Sequence, residues 1–510
     1  MKRKSKKVLC IALVLILIGS IGAAILQTNF GKVRVKDLYI LTEEQQYLHA
    51  LAFIPKSASA ENPCPVVVTS HGWLNSAEVQ DATCIELSRR GIAVIAMDAY
   101  NHGLSSSAWT PNGVASAEHG LGMISLVKYV ASGIMDYIDT DKIGIMGHSM
   151  GGGAAADTLM YFSRQYEAAI EAAQAPDSDG GVEITEAEQA YADDQMVISA
   201  ALPTGMTPNV VSDWSIVHCN TGIIFTELDE NGYLTSVGTD YVAGSTTEAL
   251  NMVKDIDPSI TSVEKGVFYG DKDAGTLRVL YQPYTTHPLV HFDVECTADL
   301  VEFFTYCWDI NTGISNYNQT FLIKEVFNLV AMVGLFMLLV PATDLLLSVP
   351  CFAGLRGEEG PRIPALSGKR KKVYWIGFVL SGIISFVAAV VSINAALVKG
   401  GVLEPSAVFA VPTMGYVSLW TLICGIWGMI WFWVNYKKDK AAGIRNDSMI
   451  GWKISGKDLL KTIALAAVVI GFVYVIVWFC KWAFNTDFRF WTPAVKTFTP
   501  IKLLYTLIYL

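Results

Sequence analysis

After Asn316 the chain stops reading as a water-soluble protein. Four apolar stretches follow: Val326–Val349, Val373–Val398, Ala407–Val434 and Ile463–Cys480, with Pro341 and Asp344 interrupting the end of the first. A helix needs about 20 residues to cross the hydrocarbon layer. In lipid every backbone N–H and C=O must be paired, and a helix pairs them within its own segment. Charge checks the assignment. Arg356, Arg362, Lys369, Arg370, Lys371 and Lys372 cluster in one connecting loop, and Lys437, Lys438, Lys440, Arg445, Lys453, Lys457 and Lys461 in another. Between them, Lys399–Ser406 carries a single lysine. With a basic N-terminus inside, alternating crossings put both basic loops inside, as the positive-inside rule requires. Trp431, Trp433, Tyr436, Trp478 and Trp482 fall near span ends, where amphipathic rings meet the headgroups.

The start of the chain fits the same scheme. Met1–Lys7 is basic and Val8–Leu26 is continuously apolar. The core Val8–Ile18 has signal-peptide length, and Gly22-Ala23-Ala24 offers a cleavage site. The whole run is long enough to span, which favours an uncleaved anchor; both readings put the next region outside the cytoplasm. Three regions are therefore expected: a signal-anchor or signal peptide over 1–30, an extracytoplasmic domain over 31–316, and a membrane domain over 321–510. Lys481–Leu510 stays aromatic and ends in apolar Ile501–Leu510, about half a span, read as a re-entrant or interfacial piece or the start of a further span.

Between the anchor and the spans, short β-branched runs alternate with helical stretches. Val33–Leu41 and Tyr47–Ile54 read as an opening strand pair. Val66–Ser70, Ile92–Asp98, Ile143–Gly147, Val197–Leu202, Ile223–Glu227 and Leu277–Gln282 suit strands buried on both faces. Val79–Arg90, Gly122–Tyr137, Gly152–Glu171 and Thr246–Lys254 are the intervening helices. This alternation predicts a doubly wound, mainly parallel α/β sheet. Pro203–Val217 is too short for a large cap, and Asp177–Gln195 reads as an exposed acidic helix with flexible ends, with a lid as the alternative.

Composition narrows the partners. Hydrophobic residues make up 52% and charged residues 16%, which fits spans joined to a soluble part. A net charge of -10, concentrated in Glu167–Asp194 and Asp229–Asp273, leaves no basic face for nucleic acid. No Cys-x-x-Cys pair or Cys/His zinc spacing occurs, so no metal or cofactor is expected, and the nine cysteines read chiefly as small buried hydrophobes. Ionisable residues in the spans are confined to Lys324 and Glu325 at an entrance and Asp344 near an exit, which argues against an ion-coupled pump.

The chemistry-bearing motif is Gly147-His148-Ser149-Met150-Gly151. A strand running into Gly-x-Ser-x-Gly and then a helix leaves the serine hydroxyl exposed on a sharp turn. A serine hydroxyl attacks only when a base takes its proton and a third group orients that base. Asp229 ends a strand-to-acidic-turn segment, with Asp213 and Glu227 as competitors. His287 comes after the last strand, with His291 four residues on as the runner-up base.

Val66–Trp73, with its strand ending in His71-Gly72, together with Asp98-Ala99-Tyr100-Asn101-His102-Gly103-Leu104-Ser105 and the Ser149 motif, resembles the α/β-hydrolase superfamily. The resemblance is to its dienelactone-hydrolase-like and esterase or lipase members, covers about Leu38–Cys307, and departs where Asn101 replaces a usual glycine. It implies a catalytic order Ser149, Asp229, His287 and an oxyanion hole from the backbone N–H groups of Trp73 and Met150, with Trp73 walling the acyl pocket. His71 and His102 then read as structural, Asp98 as a brace for its loop, and His148 as facing the packing side of the elbow. The function expected is a membrane-anchored serine hydrolase that cleaves a small or lipid-like ester through an acyl-enzyme at the outer membrane face. Acyl transfer to a lipid or glycan, peptide or amide cleavage, and a non-catalytic sensor stay open beside it.

Overall fold

The computed structural model describes residues 2–43, 45–106, 117–174, 184–230, 246–356, 367–397, 402–403, 412–443 and 454–509. The basic-loop residues Arg362, Arg445 and Lys453, the start of the third predicted span at 407–411, most of Lys399–Ser406, and 177–183 of the acidic stretch lie outside them. The chain divides into two units, one of Ile18–Leu329 with Ala483–Val495, the other of Met1–Leu17, Val330–Trp482 and Lys496–Leu510.

Val66, Val67 and Val68 explain the first unit. All three are fully buried, and successive side chains of a strand point to opposite faces. Val66 and Val68 join one core cluster and Val67 the other, so this strand needs apolar layers on both sides. Each buried valine is worth about 1.5–3 kcal/mol. The strand is β3 (Cys64–Ser70) of an eight-stranded sheet with β1 (Val33–Leu41), β2 (Tyr47–Pro55), β4 (Ala93–Met97), β5 (Ile138–His148), β6 (Ala200–Thr204), β7 (Asn220–Ile224) and β8 (Arg278–Tyr281). The order is β1-β2-β4-β3-β5-β6-β7-β8. β1 and β2 pair antiparallel from Val33↔Pro55 to Leu41↔Tyr47, and β2 meets β4 antiparallel. From β4 to β8 every pairing is parallel.

One layer carries α2 (Asp81–Ser88), whose Ala82, Ile85 and Leu87 pack with Leu300, Val301, Phe303 and Phe304. The other carries α3 (Met123–Ala131) and α4 (Met150–Ala173), through Leu126, Val127, Ala155 and Leu159. α5 (Glu186–Asp193) is the mostly exposed acidic helix, started by a Thr185–Glu188 capping box. α6 (Thr247–Val253) and α7 (Val294–Cys307) are further helices of this unit. Strand order reverses at β3, which runs between β4 and β5. In such sheets the carboxyl ends of the strands around that point form the binding crevice. Several boundaries differ from expectation: β5 starts at Ile138 rather than Ile143, β6 runs over Ala200–Thr204 rather than Val197–Leu202, and α2 over Asp81–Ser88 rather than Val79–Arg90. α3 stops at Ala131 rather than Tyr137, with Gly133 in the left-handed region (φ 71°). α4 begins at Met150 rather than Gly152, because the chain enters the helix directly from Ser149.

The other unit is helical. It holds the first part of α1 (Lys2–Gln27), α8 (Phe321–Leu346) from Val330 on, α9 (Gly368–Leu397), α10 (Pro412–Ala441) and α11 (Gly456–Phe484) up to Trp482; among the described residues these five helices are long and apolar enough to cross a membrane. Close approach at Gly334 fits small-residue packing in lipid: a Cβ there would stand 2.7 Å from the Ala12 carbonyl. α9 and α10 are joined by indole donors, Trp427 Nε1 to Ser381 Oγ at 2.9 Å and Trp420 Nε1 to Ser385 Oγ at 3.1 Å. The apolar tail forms α12 (Pro500–Tyr509). All nine cysteines are free, and the five in the first unit are buried. Burial pushes the thiols of Cys64 and Cys219 up to about 11, so they serve as packing groups rather than nucleophiles.

Candidate active site

Ser149 links β5 to α4 with φ 55° and ψ -116°, a conformation costly for a residue with a Cβ and found where the fold over-determines it. The turn closes because its neighbours are small. A Cβ on Gly147 would sit 2.9 Å from the Ser70 carbonyl and overlap Gly151, and one on Gly151 would sit 2.7 Å from the His71 carbonyl. Ser149 N–H donates to Thr204 O at 2.9 Å, tying the turn to the end of β6. Met150 is the first residue of α4, so its N–H is one of the donors a helix start leaves without an intrahelical partner.

Asp229 and His287 come together from different strands. β7 ends at Ile224 and leads to a tight turn, where Asp229 N–H donates to Thr226 O at 3.2 Å and Thr226 Oγ1 donates to Asp229 Oδ2 at 3.3 Å. β8 ends at Tyr281, and the loop after it is laced to that turn through Glu227 N–H to Pro283 O (2.9 Å) and Leu228 N–H to Thr285 O (3.1 Å). His287 Nδ1 then lies 2.8 Å from Asp229 Oδ2, both residues buried. With Nδ1 donating to the carboxylate, Nε2 is left as the basic nitrogen. Gly205 at the end of β6 gives the proximity to the elbow: a Cβ there would stand 2.8 Å from His148 and 3.2 Å from His287. Among the described residues no hydrogen bond joins Ser149 Oγ to His287; such bonds often tighten only when substrate is bound.

The competitors lie elsewhere. Asp213 is exposed and accepts from Ser215 N–H (3.0 Å) and Oγ (2.6 Å). Glu227 is exposed too. His291 is buried against His148, ring centroids 4.3 Å apart. Burial, with the charges of His71, Arg489 and His287, pulls its pKa down to about 3. It is a neutral packing group near the site.

The remaining loop histidines are held in place. His71 Nδ1 donates to Gly72 O at 2.7 Å, while its Nε2 accepts from Ala99 N–H at 3.1 Å, which joins the β3 loop carrying Trp73 to the β4 loop. Trp73 itself is 41% exposed. Asp98 braces the β4 loop by accepting from Ala77 N–H and Leu104 N–H, both at 2.7 Å. Asn101 takes φ 66°, a left-handed conformation that asparagine tolerates better than most residues.

The family described as the alpha/beta hydrolase fold matches residues 65–165, which run from β3 through the elbow into α4. The fold is that of an α/β-hydrolase. Solved structures similar to this chain include an esterase from Pyrococcus furiosus, with 15% identity over 55% of this chain and 95% of that one, at TM-score 0.32. A hyperthermophilic esterase from Pyrobaculum calidifontis has 17% identity over 61% and 94%, at TM-score 0.32. A dienelactone hydrolase-like promiscuous phosphotriesterase from metagenomic libraries has 11% identity over 55% and 99%, at TM-score 0.34. The fold assignment rests on strand order and the family match rather than on these likenesses.

One part of the α/β-hydrolase unit is not foreseen from the sequence. Ala483–Val495, the end of α11 and the tail after it, belongs to this unit and carries a two-stranded hairpin, β9 (Phe488–Arg489) with β10 (Ala494–Val495). Its signal in the sequence is small: Asp487 and Arg489 set in an otherwise apolar, aromatic tail.

Proposed function

We propose that this protein is a membrane-anchored serine hydrolase that cleaves carboxylic esters through an acyl-enzyme on Ser149. One observation carries the reading: His287 Nδ1 lies 2.8 Å from the buried Asp229 carboxylate, in a fold whose β5–α4 turn holds Ser149 at φ 55°. In this mechanism His287 Nε2 takes the Ser149 proton as Oγ attacks the ester carbonyl, and Asp229 stabilises the imidazolium that forms. The N–H groups of Met150 and Trp73 receive the developing oxyanion, one such donor being worth about 3 kcal/mol. His287 then returns the proton to the leaving alcohol, and water, deprotonated by the same nitrogen, releases the acid.

The substrate is a small or lipid-like ester, and the reaction takes place at the outer membrane face. The two basic loops support that sidedness: with the N-terminus inside, an odd number of crossings separates residues 31–316 from both. Turnover of short- and long-chain nitrophenyl esters by the full-length protein in detergent tests the reading, with Ser149→Ala as the control. Expected is turnover that the substitution lowers by at least about 10³-fold. Turnover that survives in Ser149→Ala, or none with any ester, contradicts it. An added lipid alcohol that captures most of the acyl group would reassign the reaction to acyl transfer.

A further inference from the structure

We propose that the hairpin segment Thr486–Val495, just beyond α11, is a positioning element of the Ser149 site; the proposal rests on the serine-hydrolase reading. Two side chains carry it. Arg489 is 1% exposed, and its Nε pairs with the Asp487 carboxylate. Its Nη2 donates to Ser76 Oγ at 3.0 Å, and Ser76 in turn donates to Glu78 at 2.9 Å. Ser76 lies three residues beyond Trp73, in the loop that supplies the oxyanion donor. The other nitrogen, Nη1, reaches the carbonyls of Trp491 (3.4 Å) and Thr492 (3.3 Å), which shapes the tip of the hairpin. From that tip Trp491, at φ 57°, donates its indole N–H to Pro288 O at 3.1 Å. Pro288 is the residue after His287. One short segment thus holds the oxyanion loop with one side chain and the base loop with the other.

The hairpin is itself fixed from below. Asn328, with its amide turned to satisfy both neighbours, donates to Asp487 O at 3.0 Å and accepts from Lys324 Nζ at 3.0 Å. Lys324 pairs with Asp81 at the start of α2. Gln27 Nε2 donates to Phe484 O at 2.6 Å. Lys324, read from sequence as a charge at a span entrance, is therefore part of an anchoring network. Positive-inside topology agrees: five crossings put the segment after α11 on the same side as residues 31–316. Burying a guanidinium is costly unless it is fully paired. A segment needed only to cover apolar surface would be served by an aliphatic residue at 489. The fork geometry of arginine, three nitrogens each with a partner, fits the holding of loops in register. A site misplaced by about 1 Å loses about 10²-fold in rate, so the contribution belongs to kcat.

The test uses full-length protein in detergent and two mild substitutions. Trp491→Phe keeps the ring and removes the N–H; Arg489→Lys keeps the charge and removes the fork. Ester turnover, KM, Tm and the number of Ser149 sites titrated by a fluorophosphonate are measured on each. Expected is a fall in kcat per titrated site of about tenfold in Trp491→Phe, with KM within about twofold and Tm held. Arg489→Lys should fall further. Wild-type kcat per titrated site in Trp491→Phe overturns the proposal. So does a loss that follows Tm and the titrated fraction alone, which marks a structural brace. If Arg489→Lys does not fold, Trp491→Phe decides. If wild-type protein is neither labelled nor active, the serine-hydrolase reading fails first and the proposal falls with it.

Discussion

His148 Nε2 lies 2.9 Å from the carbonyl oxygen of His287, so the residue before the candidate nucleophile donates to the backbone of the candidate base. The two rings also pack, centroids 4.6 Å apart. Deep burial, reinforced by His291 and His287, holds the His148 pKa well below the ordinary value. It is neutral and carries its proton on Nε2. His148→Leu keeps the packing and removes the donor. Loss of one such bond is worth about 0.5–1.5 kcal/mol, so kcat should fall about three- to tenfold while Ser149 remains labelled; unchanged kcat would show that the bond does not position the base.

The choice between two histidines has a direct readout. His287 faces Asp229, whereas His291 is pulled down to about 3 by burial and packs on His148. His287→Gln should lower kcat by about 10³–10⁴-fold, and His291→Gln should leave it within about tenfold. The opposite ranking would exchange the assignment.

Asp229 should matter through His287 alone. Asp229→Asn keeps the shape and offers an amide where Nδ1–H needs an acceptor, which favours the wrong tautomer; a drop of about 10⁴ in kcat is expected. Glu227→Gln and Asp213→Asn, at exposed positions, should stay within about twofold of wild type. Steady-state kinetics on the three variants checks this.

Stability should depend on pH through His49, which is buried with Nδ1 2.7 Å from Asp98 and Nε2 2.9 Å from Asp37. Burial works against its charged form, but the hydrogen bonds to Asp37 and Asp98 outweigh it and the pKa is raised. A raised pKa gives stability that is complete below the unfolded value of about 6.5 and is lost as pH rises through the folded value. The Tm gap between wild type and His49→Gln should therefore be wider at about pH 6 than at about pH 9. A gap independent of pH would mean that His49 is not charged in the fold.

How much of the fold the sequence discloses depends on the range of each interaction. Val66–Val68 declares a two-sided strand because burial on both faces leaves no polar position, and the Ser149 turn declares itself because Gly147 and Gly151 are required within two residues of it. The spacing of His287 and His291 gives no such signal: which of them meets Asp229 depends on a loop stitched to the Asp229 turn by backbone bonds, which any side chains could make. The hairpin at 486–495 is illegible for a third reason. Its partners, Ser76 and Pro288, are more than two hundred residues earlier, and an aromatic tail after a span reads as membrane interface until the contacts are seen.

The central claim is that Ser149 is an activated nucleophile. Intact-mass analysis and peptide mapping of the full-length protein after treatment with a fluorophosphonate test it most directly. A single adduct on the peptide carrying Ser149, absent from Ser149→Ala and strongly slowed in His287→Gln, is the predicted result. Folded wild-type protein that takes up no adduct, or Ser149→Ala that takes up as much, would contradict it.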